Sequence, residues 1–391
     1  MKIKLFLPLF ISTALFGQNL SEILEAASMS KRVISIKEQS KSEIAQTKLL
    51  NTYDAPYLGL SISHADETGD KGEEYAVGIS QELNHPFANK SKTVDAKTKA
   101  IELGVSHTLD MLSLDIAKTY HQACISKDMS KSLQRLYDEQ NEGFLKLQRA
   151  YVLGEISKKE LLFNKLDLAT TKRSVTTYKR AYMTDLSSLN EAIDNLEITD
   201  LECNDLAKIT KTIELKQVQD HALIKEISYE QSATKSSYNV YNSSFSSIGY
   251  ELLYEKELDT ERYTFGVSLP LDFLSSKAQT QRAELLYKDA SLVAKKDALI
   301  REIQSQIEGS SQRLKTLYEE LIVLDEEILP MSLELKDLAK KSLKEGHSSV
   351  LEYLDATRSY SKITLELQEI KKEYYNELFE LYKIADMREK L

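Results

Sequence analysis

Few side chains in this chain of 391 residues could carry out catalysis. The six histidines are dispersed, and the sequence contains neither a Ser-His-Asp arrangement nor a glycine-rich phosphate loop. His121 and Cys124 stand three positions apart, as two metal ligands on one helix would. A structural metal site needs further ligands, so a packing coincidence is the favoured interpretation. The sequence therefore predicts a protein that is not an enzyme and that has no metal or cofactor.

Whether the two cysteines, Cys124 and Cys203, form a disulfide depends on the cellular compartment of the protein. The chain begins with two lysines in residues 1–4, continues with a mostly apolar run over residues 5–16, and has Gly17 at the end of that run. This is the pattern of a secretory signal peptide, predicted over residues 1–17. In an exported protein an even cysteine count favours a disulfide, with a buried free thiol as the alternative.

The composition excludes one class of partner and favours one class of structure. The net charge is -10, with 51 basic and 61 acidic residues, and the basic residues are scattered, so nucleic acid is not an expected partner. Beyond the signal peptide no apolar stretch reaches the length of a transmembrane helix. The chain has 5 prolines and 12 glycines, a scarcity that favours long uninterrupted helices.

The chain contains a direct repeat of about 190 residues. Residues 75–80 (YAVGIS) correspond to residues 263–268 (YTFGVS), and a second pair of matching segments carries one glycine each. The members of that second pair are Gly154, Glu155, Ile156 and Ser157, answered by Gly346, His347, Ser348 and Ser349. The predicted repeats cover residues 18–205 and 206–391.

Each repeat is predicted to contain a β-hairpin followed by a helical hairpin. The predicted bounds are about 57–87 and 88–190 in the first repeat, and about 241–273 and 274–391 in the second. The glycine segments are the predicted turns between helices, because a tight reversal there needs positive φ. The helix before each turn would be about 100 Å long at 1.5 Å per residue, too long for a compact domain of this size.

Helical periodicity and strand periodicity appear in different segments. From Ile307 to Ile328 apolar residues recur with coiled-coil spacing, although an ordinary helical bundle gives similar stripes. Pro330 is expected to bend this helix. Four other segments alternate with period two, with aromatic and aliphatic residues on one face and mostly glycine, serine and other small or polar residues on the other. The turns between these strands, at 66–72 and 257–261, are hydrophilic.

Four strands are too few to close a membrane barrel, because the smallest need about eight. Open edges in lipid leave backbone groups unsatisfied, so other copies must complete the ring. Three copies supply twelve strands and two copies supply eight. The expected product is a tube that continues from a membrane into long helices.

The sequence resembles the TolC-like outer-membrane factor family, the exit ducts of tripartite efflux pumps and type I secretion systems. The resemblance lies in residues 265–273 (FGVSLPLDF) and 346–358 (GHSSVLEYLDATR), and with the repeat it covers essentially the whole mature chain. It implies a mainly α protein with membrane β-hairpins, assembled as a homotrimer. The trimer would have a 12-stranded β-barrel in outer-membrane lipid, continued by a long α-helical barrel in the periplasm.

The resemblance also implies partners and site residues. The two glycine turns would form the periplasmic tip and receive a periplasmic adaptor protein, which links the duct to an inner-membrane pump. Glu352 and Asp355 match the acidic residues of the family's constriction, and Glu160 is the acid of the first repeat. The sequence departs from the family's commonest pattern by having glutamate in place of aspartate at 352 and 160. It also has His347 near the second tip, where the family can have arginine. An acidic residue at a helix start, favoured by the helix dipole, is the alternative reading of these acids.

Within this layout the cysteines fall at similar heights above the tip, which predicts a Cys124–Cys203 bridge between the first long helix and the segment that joins the repeats. The expected function is a passive conduit gated at its tip. The alternative is a periplasmic adaptor or structural coiled-coil protein without a pore. Metal ions, drugs and polypeptides all stay open as exported substrates.

Overall fold

The computed structural model describes residues 17–67, 70–194, 197–242, 245–274 and 276–390. The predicted signal peptide lies outside these residues, except for Gly17. The chain is mostly helical with one small sheet. The helices are α1 Leu20–Ser28, α2 Lys31–Leu49, α3 Ser91–Val152, α4 Lys158–Ala192, α5 Ala222–Tyr241, α6 Ser276–Ile322, α7 Leu329–Lys344 and α8 Val350–Ile384, and the strands are β1 Tyr57–Glu67, β2 Asp70–Asn84, β3 Ser247–Lys256 and β4 Glu261–Ser268.

The chain divides into two compact units. The first contains residues 109–216 and 304–390 together with the N-terminal part up to Ser35. Its core is formed by the middle of α3, the end of α8, helix α1 and the segment after α4; its largest fully buried side chains include Leu114, Tyr120, Tyr374, Leu378 and Phe379.

The second unit contains residues 36–108 and 217–303, that is, the sheet with the adjoining parts of α2, α3, α5 and α6. Its four strands are antiparallel in the order β1-β2-β3-β4. In the first hairpin the strands extend into the predicted turn at 66–72, since Asp66 pairs with Lys71 and Glu67 with Asp70. The second turn lies at 257–260, as the sequence suggested.

Helices α1, α2 and α5 are additions to the predicted order of hairpin and long helix. Helix α1 begins with a capping box: the Asn19 side chain accepts from the Glu22 amide at 2.9 Å, and the Glu22 carboxylate accepts from the Asn19 amide. Helix α5 is capped by His221, the residue before its first turn, whose Nδ1 accepts from the Leu223 amide at 3.2 Å. Both starts use local capping that a search for long apolar stripes overlooks.

The predicted stripe on α6 packs inside the first unit. Leu314, Leu321 and Leu324 are buried in its core, as in an ordinary helical bundle. A six-residue π-helical segment, Val323–Ile328, separates α6 from α7 directly before Pro330. Proline has no N–H to donate and clashes with the preceding turn, which accounts for the irregular hydrogen bonding there. None of the described helices is both long and apolar enough to cross a membrane.

Candidate functional site: the helix tips and the open sheet

The first predicted tip is a tight turn between α3 and α4. Gly154 has φ +79°, a value that a Cβ atom disfavours. The Glu155 amide donates to the Ala150 carbonyl at 2.9 Å, which closes the helix end. Three residues beyond the glycine, Ser157 caps α4. The last residue of α3 and the residue after it are apolar and solvent-exposed, Val152 by 83% and Leu153 by 72%.

The second tip repeats this arrangement between α7 and α8. Gly346 has φ +77°, and the His347 amide donates to the Ser342 carbonyl at 2.9 Å. Ser349 is the N-cap of α8 and accepts from the Glu352 amide at 3.2 Å. Both turns therefore pair a left-handed glycine with a serine cap, which explains the spacing of the two glycine segments.

The structure places Glu160 and Glu352 at equivalent positions, the third residue of α4 and of α8. Glu160 closes a capping box, since its carboxylate accepts from the Ser157 amide at 2.8 Å. This hydrogen bond holds the pKa of the exposed Glu160 carboxyl below its usual value. Helix capping is therefore sufficient to explain an acid at 160.

Asp355 takes part in an ion-pair chain that the sequence did not reveal. Its carboxylate lies 2.7 Å from Nη1 of Arg358, and Nε of Arg358 donates to Asp167 of α4 at 2.5 Å. The Arg358 guanidinium also lies 4.8 Å from the centre of the Phe163 ring. Asp167 is the tenth residue of α4 and Arg358 the ninth of α8, so the pair joins the two helices at nearly the same distance from their starts. No pattern in the sequence singles this pair out, because the offset between equivalent positions of α4 and α8 is 192 residues, not 191.

A second charged cluster joins α3, α7 and α8. Glu139 accepts from Lys336 at 2.7 Å and from Lys340 at 3.1 Å, and the Tyr353 hydroxyl donates to the same carboxylate. Burial opposes ionisation, but these donors outweigh it and lower the pKa of Glu139 to about 2. The cluster holds α7 and α8 to α3 with charge-assisted hydrogen bonds.

Replacing Glu139 by glutamine should destabilise the protein by about 2 kcal/mol, because the Lys336 side chain, 11% exposed, loses its counter-charge. Thermal unfolding of the detergent-solubilised protein measures the loss. Glu142→Gln, an exposed position one turn along α3, is the matched control. Equal melting temperatures for the two variants would show that the Glu139 cluster adds nothing to stability.

The segment after α4 is fastened to the long helices. Cys124 of α3 and Cys203 are joined by a disulfide, with their Cα atoms 5.6 Å apart. The Tyr374 hydroxyl of α8 donates to the Thr210 carbonyl at 2.9 Å and accepts from the Thr210 amide at 2.8 Å. The segment thus gains a covalent bond at one point and side-chain hydrogen bonds beyond it.

His121 of α3 also holds this segment by a hydrogen bond. Its Nδ1 donates to the Ala117 carbonyl at 2.7 Å, and its Nε2 accepts from the Ala207 amide at 2.8 Å. Both nitrogens are used, which accounts for a histidine three positions before Cys124. Within the described parts of the chain no group of three or more His, Cys, Asp or Glu side chains could hold a metal ion.

His121 should make stability depend on pH. Burial lowers its pKa from 6.5 to about 4, so the neutral ring favours folding above pH 6.5 and this contribution is lost as the pH falls towards 4. We expect a loss of about 2 kcal/mol between pH 7.5 and pH 5. Melting temperatures at both values, compared with those of His121→Gln, isolate this contribution. An unchanged pH dependence in the variant would assign the effect to other groups.

The sheet exposes its apolar face. Leu58, Ile79, Leu252 and Phe265 form one row across all four strands, and each is more than half exposed. The next row contains Leu60, Val77, Tyr254 and Tyr263. On the opposite face the corresponding row is Gly59, Gly78, Leu253 and Thr264. An apolar face this large and this open is atypical of a soluble monomer.

The sheet is also open at both edges. Strands β1 and β4 each pair on one side only among the described residues. Edge strands of 11 and 8 residues leave rows of N–H and C=O groups available for another strand. An apolar face together with two free edges leaves the sheet able to pair with further strands.

Similar folds occur among solved structures, whereas no family model and no curated protein matches the chain. The outer-membrane channel OprN matches with 14% identity and a TM-score of 0.78, over 94% of this chain and 89% of that one. The Campylobacter jejuni CmeC outer-membrane channel matches with 14% identity and a TM-score of 0.77, over 94% and 85%. The Vibrio cholerae outer-membrane protein VceC matches with 12% identity and a TM-score of 0.76, over 94% and 95%. The resemblance found in the sequence is confirmed at the level of the fold: this chain has the fold of the TolC-like outer-membrane efflux channels.

Proposed function

We propose that this protein is the outer-membrane exit duct of a tripartite efflux pump or type I secretion system. The observation that carries the proposal is the open four-stranded sheet with its exposed aromatic and aliphatic face. Such a sheet becomes stable in lipid only when its edges are paired. Three copies, with β4 of each beside β1 of the next, form a 12-stranded barrel, and the fold shared with outer-membrane channels favours three over two.

The helical hairpins then form the periplasmic part of the duct. At 1.5 Å per residue the 62 residues of α3 are about 93 Å long, suited to a periplasmic conduit. We assign one membrane hairpin and one helical hairpin to each of the two repeats, with bounds as predicted from the sequence. No step of transport requires catalysis by this chain, because an inner-membrane pump supplies the energy.

The gate is proposed at the two glycine turns. Three copies of Glu352 and Asp355 would place carboxylates around the closed tip, where they attract cations. The Asp355–Arg358–Asp167 chain ties α8 to α4 and favours the closed arrangement. Opening would separate these helices when an adaptor binds the tip, a two-state motion biased by the partner.

The adaptor contact is assigned to residues 154–157 and 346–349, with the exposed Val152 and Leu153 beside the first turn. The alternative, a periplasmic adaptor or structural coiled-coil protein without a pore, leaves the exposed apolar face of the sheet without a purpose. The sheet therefore favours the duct.

The proposal is tested by photo-crosslinking in cells. A photoreactive amino acid at Leu153, 72% exposed, should capture an envelope protein with a coiled-coil hairpin, whereas one at Lys172, exposed in the middle of α4, should not. Deleting the gene should make cells more sensitive to toxic compounds or stop secretion of a polypeptide. The proposed function would be refuted if the deletion changed neither resistance to toxic compounds nor polypeptide secretion and if no adduct formed at Leu153.

A further inference from the structure

A cavity of about 400 Å³ lies in the second unit where the strands meet the helices. Asn84, the last residue of β2, lines it together with Lys90, which directly precedes α3, and with Thr93 and Lys97 from the first turns of α3. Leu49 and Leu50 from the end of α2 line another side. The cavity therefore adjoins the end of β2, one of the strands whose apolar face is exposed.

Of the two lysines of this cavity Lys90 is buried and Lys97 half-buried, and neither makes an ion pair with a residue that the structure describes. Lys90 is 7% exposed; its ammonium group donates to the Asn84 carbonyl and lies 4.6 Å from the centre of the Tyr53 ring. Lys97 makes no ion pair with any residue that the structure describes. Burial lowers the pKa of both lysines, and nearby Lys288 lowers that of Lys97 further. An anion in the cavity would relieve this cost.

Thr93 provides an independent observation. The residue is 5% exposed, and its hydroxyl has no hydrogen-bond partner within the described residues. A buried hydroxyl without a partner costs free energy, which a bound acceptor would recover. Thr93 is three residues after Lys90 and four before Lys97, about one helical turn from each, and all three residues line the same cavity.

The surroundings of the cavity are apolar and open. Leu49 is 65%, Leu50 45% and Tyr53 46% exposed. A free phosphate ion makes no favourable contact with such an apolar rim, whereas acyl chains can pack against it. Glu284 contributes a carboxylate to the same cavity, which disfavours a dianion and suits the ammonium of a zwitterionic headgroup.

We propose that this cavity binds the phosphodiester headgroup of a membrane lipid, with Lys90, Lys97 and Thr93 on the phosphate and the acyl chains along Leu49 and Leu50. The proposal rests on the proposed function, because it requires the sheet to lie in a bilayer. The lipid would then fix the depth of the duct at the boundary between membrane and periplasm.

Native mass spectrometry of the full-length assembly in dodecyl maltoside, a detergent without phosphate, tests this site. Added dioctanoyl phosphatidylethanolamine should bind at one molecule per chain. Lys97→Gln and Thr93→Val should each weaken binding, Lys97→Gln by at least about tenfold, the loss of one charge-assisted hydrogen bond. Thr93→Val preserves the side-chain volume and so separates binding from folding. Lys92→Gln, an exposed position on the same helix, should bind as the unmodified protein does.

Two further probes test whether binding requires the intact lipid rather than its phosphate or its acyl chains alone. Inorganic phosphate and dioctanoylglycerol should each fail to compete with the lipid. Competition by phosphate alone would make this an ion site and overturn the proposal, as would equal binding of lipid by all variants. A trimer that binds no lipid would overturn the lipid site alone. A single chain that stays soluble in water without detergent would overturn the proposed function.

Discussion

Replacing Phe265 by arginine should abolish assembly of the protein in the outer membrane. Phe265 is 66% exposed in the middle of β4, on the apolar face and opposite Leu252. An arginine at the middle of a bilayer costs a membrane barrel about 2 to 4 kcal/mol, and a trimer would carry this cost three times. The summed cost is comparable with the whole stability of an ordinary domain.

Thr264→Arg is the matched control for this prediction. Thr264 is adjacent in sequence but lies on the opposite face of the sheet, opposite Leu253. There the arginine would face the water-filled interior, so trimers should still form. Heat-modifiable trimers in outer-membrane fractions, counted by semi-native electrophoresis, measure both variants. Equal amounts of trimer for the two substitutions would contradict a lipid-facing sheet.

Removing the disulfide should give the second-largest effect. The bridge between Cys124 and Cys203 closes a loop with a sequence separation of 79 residues. Loop-closure entropy for this length predicts that the free energy of unfolding falls by about 4.5 kcal/mol in the Cys124→Ala, Cys203→Ala double variant. Its melting temperature should fall by roughly 6 °C.

Reduction of the unmodified protein is the control for the disulfide. Its melting temperature in reductant should approach that of the double variant, because both lack the same constraint. The hydrogen bonds of His121 and Tyr374 to the joining segment remain in both cases. A double variant that melts with the unmodified protein would show that these hydrogen bonds suffice to hold the segment.

Much of the fold could be read from periodicity and from the repeat. The alternating strands and long helices leave strong patterns because each must keep one face apolar along many residues. Gly154 and Gly346 marked the helix turns since positive φ is a backbone requirement visible in a single residue. Helix α1, whose 9 residues depend on the Asn19 cap, leaves no comparable pattern.

The side-chain partners could be predicted less well. The pairing of Arg358 with Asp167 and of Glu139 with Lys336 joins residues far apart in sequence, and charges on long helices are mostly solvent-exposed. The repeat places both helices side by side but does not single out Arg358 and Asp167 as partners. The cavity around Lys90 and Thr93 depends on how the ends of four helices converge, which no local pattern specifies.

If one chain supplies only part of a membrane wall, the assembled protein must contain several chains, and its mass shows how many. Multi-angle light scattering on the mature protein in detergent separates the protein mass from the detergent mass. We expect a protein mass of three chains, with aggregation once the detergent is removed. A folded, dispersed particle with the mass of one chain in plain buffer would contradict the account.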